Sequence, residues 1–254
     1  MDEERDRTIP QVRIGGQNQD VSNTPLIDDG IGHIIRGEAS HTETGYVIFL
    51  DALGMKRVWE HYHYNQVNMM WKRSIQSFMD SIERFRSYLN VEPRFRVLSD
   101  TIIITIPVAV TPSSISWVFD LLCKPFMDSI MNHMLFRGII SYGQYSISTR
   151  LLLGPALAES ASQNDKLNWI GVALTPQLAQ KAACLMGSSG LSTANAIWYC
   201  NVPHKDMQVY RSVVLNWPQY DTDETCFNIL NSEYEISRDK LKYENTFAFY
   251  TEVG

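Results

Sequence analysis

Apolar residues first gather without a break at Tyr46-Val-Ile-Phe-Leu50, a β-branched and aromatic run that reads as a strand buried on both faces. The run stops at Asp51-Ala-Leu-Gly54, and a helical pattern follows to about Leu89. Within it Trp71, Ile75, Phe78, Ile82 and Phe85 recur at spacings of three and four, which marks one apolar helix face. Phe95–Leu98 and Thr101–Pro107 then read as two strands joined at a tight Ser99-Asp100 turn. Residues Ser113–Leu135 return to a helical pattern, with Ser113 or Ser114 as the cap and Pro125 as a kink. Phe136–Ile147 resumes strand character. The predicted order is strand, helix, strand, strand, helix, strand, which is the split βαβ, or ferredoxin-like, α+β arrangement. A C-terminal extension follows. Its predicted parts are a helix opening at Gly154-Pro155, a strand at Trp169–Leu174 and a helix from Thr175 or Pro176. Strands at Ala196–Cys200 and Val209–Trp217 and a helix at Lys240–Tyr250 complete it.

Charge changes how the chain divides. Residues 1–40 hold eight acidic and four basic residues, so −4 of the net −6 sits there. The same stretch has five of the 14 glycines and no aromatic residue. Such a segment buries little surface and reads as a flexible acidic tail, with the folded part expected from His41. The charged opening Met1–Arg7 is not that of a secretory signal, and no apolar run reaches the roughly 18 residues of a membrane span. The expected location is cytoplasmic, with no membrane partner. The acidic balance argues against a general nucleic-acid surface. Four cysteines, Cys123, Cys184, Cys200 and Cys226, show no CxxC pairing and are expected as free thiols in or near a core.

Candidate chemistry comes from topology. In a ferredoxin-like sheet the first and third strands are central, adjacent and antiparallel, so the end of one lies beside the start of the other. Asp51 ends the first strand and Asp100 begins the third. Two carboxylates at one sheet edge repel unless a cation lies between them, and Mg²⁺ or Mn²⁺ takes such oxygen ligands. The neighbouring loop Ala52-Leu53-Gly54-Met55 opens a helix, so its backbone N–H groups are expected to be unpaired and aimed outward as an anion seat. Gly54 would let a phosphate approach closely. Ala52, Leu53, Gly54 and Met55, with Leu50 beside them, are the candidate nucleotide contacts, and Asp51 and Asp100 the candidate metal ligands. Together they describe a nucleoside triphosphate site. Taken singly, D-x-x-G is only a turn into a helix and S-D only a hairpin tip.

Phe49-Leu-Asp51-Ala-Leu-Gly54 and Leu98-Ser-Asp100-Thr-Ile resemble the two metal-aspartate positions of class III nucleotide cyclases. Arg137-Gly-Ile-Ile-Ser-Tyr-Gly143, Gly154-Pro-Ala-Leu-Ala-Glu159, Trp169-Ile-Gly-Val-Ala-Leu-Thr-Pro176 and Leu215-Asn-Trp-Pro218 resemble one branch, the bacterial pyrimidine cyclases of Pycsar antiphage systems. Lys242-Tyr-Glu-Asn-Thr246 adds to that likeness. The resemblance implies a catalytic domain over 41–254 that cyclises UTP, or CTP, to the 3′,5′-cyclic monophosphate with release of pyrophosphate. It implies two divalent ions per site, a head-to-tail homodimer with active sites between subunits, and a separate effector that responds to the product during infection. Asp51 and Asp100 would bind both ions, with the Ala52 carbonyl completing one. General class III adenylyl cyclases place an Asn and an Arg where this chain has Ala158 and Ser162, and the Gly154-Pro155 turn lacks the acid that reads adenine. Both departures fit the pyrimidine branch and leave the transition-state cation unassigned. Arg137 is the first candidate for it, since arginine clamps phosphate oxygens bidentately; a salt bridge is the other reading.

Other residues read plainly. His61 and His63 are two apart on one helix and do not face together as a metal pair. Met69-Met70-Trp71 reads as core or dimer packing, and Glu159 as a site support or a cap. A catalytically silent nucleotide-binding module on the same fold is the competing reading. The third option, a diguanylate cyclase, needs a Gly-Gly-acid-acid-Phe hairpin that Leu98-Ser-Asp100-Thr-Ile lacks. Uracil and cytosine differ at one ring position, and UTP is favoured over CTP only through the resemblance.

Overall fold

The computed structural model describes residues 41–89, 91–148, 151–190 and 196–253. The acidic segment 1–40 lies outside the described residues. Among the described residues eight strands are present: β1 (His41–Ala52), β2 (Arg94–Leu98), β3 (Thr101–Ile106), β4 (Phe136–Ile147), β5 (Leu152–Leu153), β6 (Gly171–Leu174), β7 (Ile197–Pro203) and β8 (Val209–Leu215). The helices among the described residues are α1 (Met55–His61), α2 (Tyr64–Leu89), α3 (Pro112–Met131), α4 (Pro155–Asn164), α5 (Pro176–Gly190), α6 (Thr225–Ile236) and α7 (Leu241–Val253). All strands join one sheet in the order β2-β3-β1-β4-β6-β8-β7, with β5 paired to the end of β4. The first four strands have the order and the antiparallel pairing of a ferredoxin-like core. β6 joins β4 in parallel, as a crossover through α4 requires, and carries the extension outward.

Why these residues build these elements is clearest at β1. Tyr46, Val47, Ile48 and Leu50 are all fully buried, so both faces of the strand are covered, as its unbroken apolar run predicts. The strand is longer than that run, because His41–Gly45 pair with Gln144–Ile147 and Gly143 of β4. Gly45 is a place where only glycine fits: a Cβ there would lie 2.1 Å from the Ile106 carbonyl oxygen.

The helices correct the apolar pattern in detail. The long helix breaks at Tyr62, whose extended backbone separates α1 from α2. The buried line of α2 is Val67, Met70, Ser74, Phe78, Ser81 and Ile82, while Trp71, Ile75 and Phe85 pack from its flank and Met69 is exposed. The cap of α3 is Thr111 rather than Ser113 or Ser114. Its side chain accepts the Ser114 N–H, and Ser114 Oγ accepts the Thr111 N–H in return. Pro125 sits inside α3, which continues to Met131. The Leu121 carbonyl, four residues back, loses its helical donor to the proline and takes the Ser81 hydroxyl of α2 at 2.7 Å instead. Helix α6 carries no strong sequence signal and adds to the predicted elements of the extension. Cys123, Cys200 and Cys226 are buried free thiols, and burial raises the first two to about 12. Cys184 departs from the expected pattern and is exposed.

Candidate active site

The pairing of β1 with β3 sets Asp51 opposite Thr101, and the Ala52 N–H donates to the Asp100 carbonyl oxygen at 2.9 Å. Asp51 and Asp100 thus meet at one end of the central strand pair. The turn that presents Asp100 is a two-residue hairpin in which Ser99 takes φ 57, a left-handed conformation unusual for serine. The Asp51 carboxyl is held above the usual carboxylate range, chiefly by burial. The Arg137 charge and hydrogen bond oppose that rise, whereas the Asp100 and Asp165 charges add to it.

The two side chains nevertheless border different hollows. Asp51 lines a cavity of about 250 Å³ together with Gly54, Arg137, Lys205, Asp239 and Lys242. Asp100 lines a groove of about 470 Å³ with Met55, Trp59, Tyr64 and Trp71. The Ala52–Met55 loop runs between them. In it Gly54 adopts φ 73 and caps α1, and the space in front of its Cα is open. The expectation that the loop's amides are all free is corrected: Ala52 N–H is bound to Asp100, and Leu53 N–H to the Leu135 carbonyl at 2.7 Å. Leu50 is fully buried in the core, so its side chain is closed to any ligand.

Arg137 lies opposite Asp51 in the β1–β4 register and is 8% exposed. Its Nη2 donates to Asp51 Oδ2 at 2.9 Å and to Asp165 Oδ1 at 3.4 Å, and its Nη1 to the Leu167 carbonyl at 3.2 Å. The arginine expected to meet a phosphate is therefore also a clamp on the first candidate metal ligand. Ala158 is exposed on α4, and Glu159 is half-buried on the same helix. His61 ends α1 and His63 immediately precedes α2.

Among the described residues no three His, Cys, Asp or Glu side chains gather to hold a metal. Asp51 and Asp100 still form a pair of hard oxygen donors, and the repulsion that helps to lift Asp51 is what a divalent cation between them relieves. The donor chemistry of the two carboxylates fits Mg²⁺ or Mn²⁺. Sequence reasoning missed Asp165, Lys205 and Asp239. Lys242 fell within a stretch singled out for resemblance, but no spacing pointed to its charge.

No protein-family model and no curated protein sequence matches the chain. Among solved structures, the catalytic core of a rhodopsin-guanylyl cyclase with converted specificity, in complex with ATPαS, is similar at a TM-score of 0.47 and 8% identity, over 70% of this chain and 98% of that one. A bacterial light-regulated adenylyl cyclase is similar at a TM-score of 0.45 and 14% identity, over 76% of this chain and 98% of that one. The guanylate cyclase domain of RhGC from Catenaria anguillulae, in complex with GTP, is similar at 0.44 and 8% identity, over 70% and 97%. These scores are modest, and the α+β ferredoxin-like assignment stands on the strand order and register above. No described helix is long and apolar enough to cross a membrane.

Proposed function

We propose that this chain is a pyrimidine nucleotide cyclase that closes UTP, with CTP as second choice, into the 3′,5′-cyclic monophosphate and releases pyrophosphate. The observation that carries the reading is the meeting of Asp51 and Asp100 at one end of β1 and β3, beside an open left-handed Gly54. Mg²⁺ or Mn²⁺ held by Asp51, Asp100 and the Ala52 carbonyl would lower the pKa of the ribose 3′-hydroxyl and offset charge on the departing pyrophosphate. The chain's own residues do the rest. Arg137 fixes the orientation of the Asp51 carboxylate, and its buried guanidinium adds positive charge beside the phosphates. Gly54 leaves room for a phosphate oxygen close to the backbone. The pyrimidine preference, a head-to-tail homodimer in the cytoplasm, and a product read by a separate antiphage effector follow from the motif resemblance and belong to the same proposal.

The test is incubation of the purified chain with Mn²⁺ and each of the four nucleoside triphosphates, with product masses measured. Cyclic UMP is the expected product, and Asp51→Ala and Asp100→Ala should each lose at least about a hundredfold in rate. A cyclic purine product would overturn the pyrimidine choice. The silent nucleotide-binding module is favoured by one observation, the ion pair that already neutralises Asp51. It wins if no cyclic product forms and Asp51→Ala leaves nucleotide binding unchanged.

A further inference from the structure

One face of β4 carries a buried polar line that leads to Arg137. Side chains alternate along a strand, so Arg137, Ile139, Ser141 and Gly143 share the face on which α4 packs. On α4 the matching positions recur every four residues: Ala156, Ser160 and Asn164, all buried. Ala156 sits against Gly143, where a Cβ added to the glycine would lie 3.4 Å from the alanine Cβ. One turn on, the Ser160 and Ser141 hydroxyls are 2.7 Å apart, and Ser141 Oγ donates to the Ala156 carbonyl at 2.7 Å. Four helical residues rise about 6 Å and two strand residues about 6.8 Å, so the two elements stay in step. The next turn brings Asn164 over Ile139, at the end of the line beside Arg137.

Two buried atoms at that end have no hydrogen-bond partner among the described residues: Arg137 Nε, a donor, and Asn164 Oδ1, an acceptor. Asn164 is 1% exposed, and an amide oxygen buried without a donor is costly. The rest of the guanidinium is committed. Nη1 is anchored on the Leu167 carbonyl, and Nη2 is shared between Asp51 and the largely exposed Asp165. The Leu167 anchor is itself fixed, because the Leu167 N–H donates to the Asn164 carbonyl at 3.1 Å and α7 holds the strip beyond it. From α7, Asn245 Nδ2 donates to the Asn168 carbonyl at 2.7 Å, and Thr246 Oγ1 accepts the Ile170 N–H at 2.9 Å. One anchor leaves the planar fork of an arginine free to swing between two carboxylates, whereas a second anchor at Nε fixes its plane.

We propose that Asn164 is a positioning residue for Arg137: its amide oxygen accepts the Nε–H and keeps Nη2 on Asp51 in preference to Asp165. The consequence for catalysis rests on the cyclase reading; the pairing of the two buried groups does not. Asn164 does not line the cavity of Asp51, so its effect passes through the arginine. An apolar residue at 164 would suit the neighbouring cluster of Val47, Ile103 and Ala156 and would leave Nε unpaired.

The first experiment follows the Arg137 Nε–H of the full chain by proton–nitrogen NMR, its signal identified with Arg137→Lys. A buried and bonded Nε–H exchanges slowly with water, so the signal is expected to persist at neutral pH. In Asn164→Leu, which matches the branching of asparagine, exchange should quicken at least about tenfold. Asn164→Asp, which keeps an oxygen at that place, should retain the protection. Circular dichroism confirms that the variants fold, and Asn164→Ala serves if leucine is not accommodated. Equal exchange in the native chain and a folded apolar variant overturns the proposal. The second experiment measures cyclic UMP formation from UTP with Mn²⁺. Asn164→Leu should lower kcat about tenfold and leave KM within about twofold, and Asn164→Asp should recover most of the loss. An unchanged kcat in a chain that cyclises UTP overturns the positioning role, and so does an equal loss in the leucine and aspartate variants. If the native chain itself yields no cyclic product, the cyclase reading falls and the exchange measurement still decides the pairing.

Discussion

Gly54 and His133 each hold a left-handed backbone next to the candidate site, and they do so on different terms. Gly54, at φ 73, has open space where a Cβ would go, so an added methyl meets a conformational penalty and no clash. Gly54→Ala is expected to cost about 1–2 kcal/mol in chemical denaturation and to weaken nucleotide binding further if a phosphate passes close to that Cα. His133, at φ 59, is tied to Glu233 of α6 by a hydrogen bond of 2.8 Å. That bond raises its pKa above the ordinary 6.5. A histidine raised by folding contributes its full stabilisation below the unfolded value and loses it as pH climbs through the folded one. The histidine side chain is 41% exposed, so the pair is worth under about 1 kcal/mol after screening. Melting curves of the native chain and Glu233→Gln should therefore differ most in mildly acidic buffer and converge in alkaline buffer.

At the scale of elements, α2 and α3 are joined by a repair that local pattern hides. Pro125 deprives the Leu121 carbonyl of its helical donor, and Ser81 supplies one from α2. Ser81→Ala should cost about 1–3 kcal/mol, because that buried carbonyl then loses the hydroxyl; a change of only a few tenths would show that the helix repairs itself. The same serine explains a misreading of the sequence. Ser74 and Ser81 lie on the buried line of α2, and counting only apolar residues turned the predicted face toward Trp71 and Ile75. Strands were more legible, since β1 and β3 are apolar on both faces and their ends are marked by Asp51 and Asp100. The meeting of those two acids could be read from strand order alone. The clamp by Arg137 and the contributions of Asp165, Lys205 and Lys242 could not, because they depend on how the extension folds back onto the sheet. Helix α6 escaped notice for a related reason: only Cys226 and Leu230 of it are fully buried, too few to leave a periodic trace.

For the molecule as a whole, charge in the site is balanced in part without any metal. Asp51 is paired with Arg137 at 2.9 Å, and Lys205 and Lys242 stand nearby. A chelator should therefore abolish the proposed cyclase activity while moving the melting midpoint by less than about 2 °C. A large fall in melting temperature would instead assign the ions a structural part. The acidic excess in residues 1–40 leaves the remainder of the chain near neutrality, which is compatible with a polyanionic substrate.

The bonds from Asn245 and Thr246 to the strip around Asn168 also set an order of assembly. A ribosome completes β1, β3 and β4, with Asp51, Asp100 and Arg137 in register, well before it makes α7. Until that helix emerges and docks, Lys242 is absent and the wall beside Asp51 stands open. A nascent or prematurely terminated chain would carry both aspartates yet lack the bonds that hold the strip around Asn168, so the wall beside Asp51 would be incomplete.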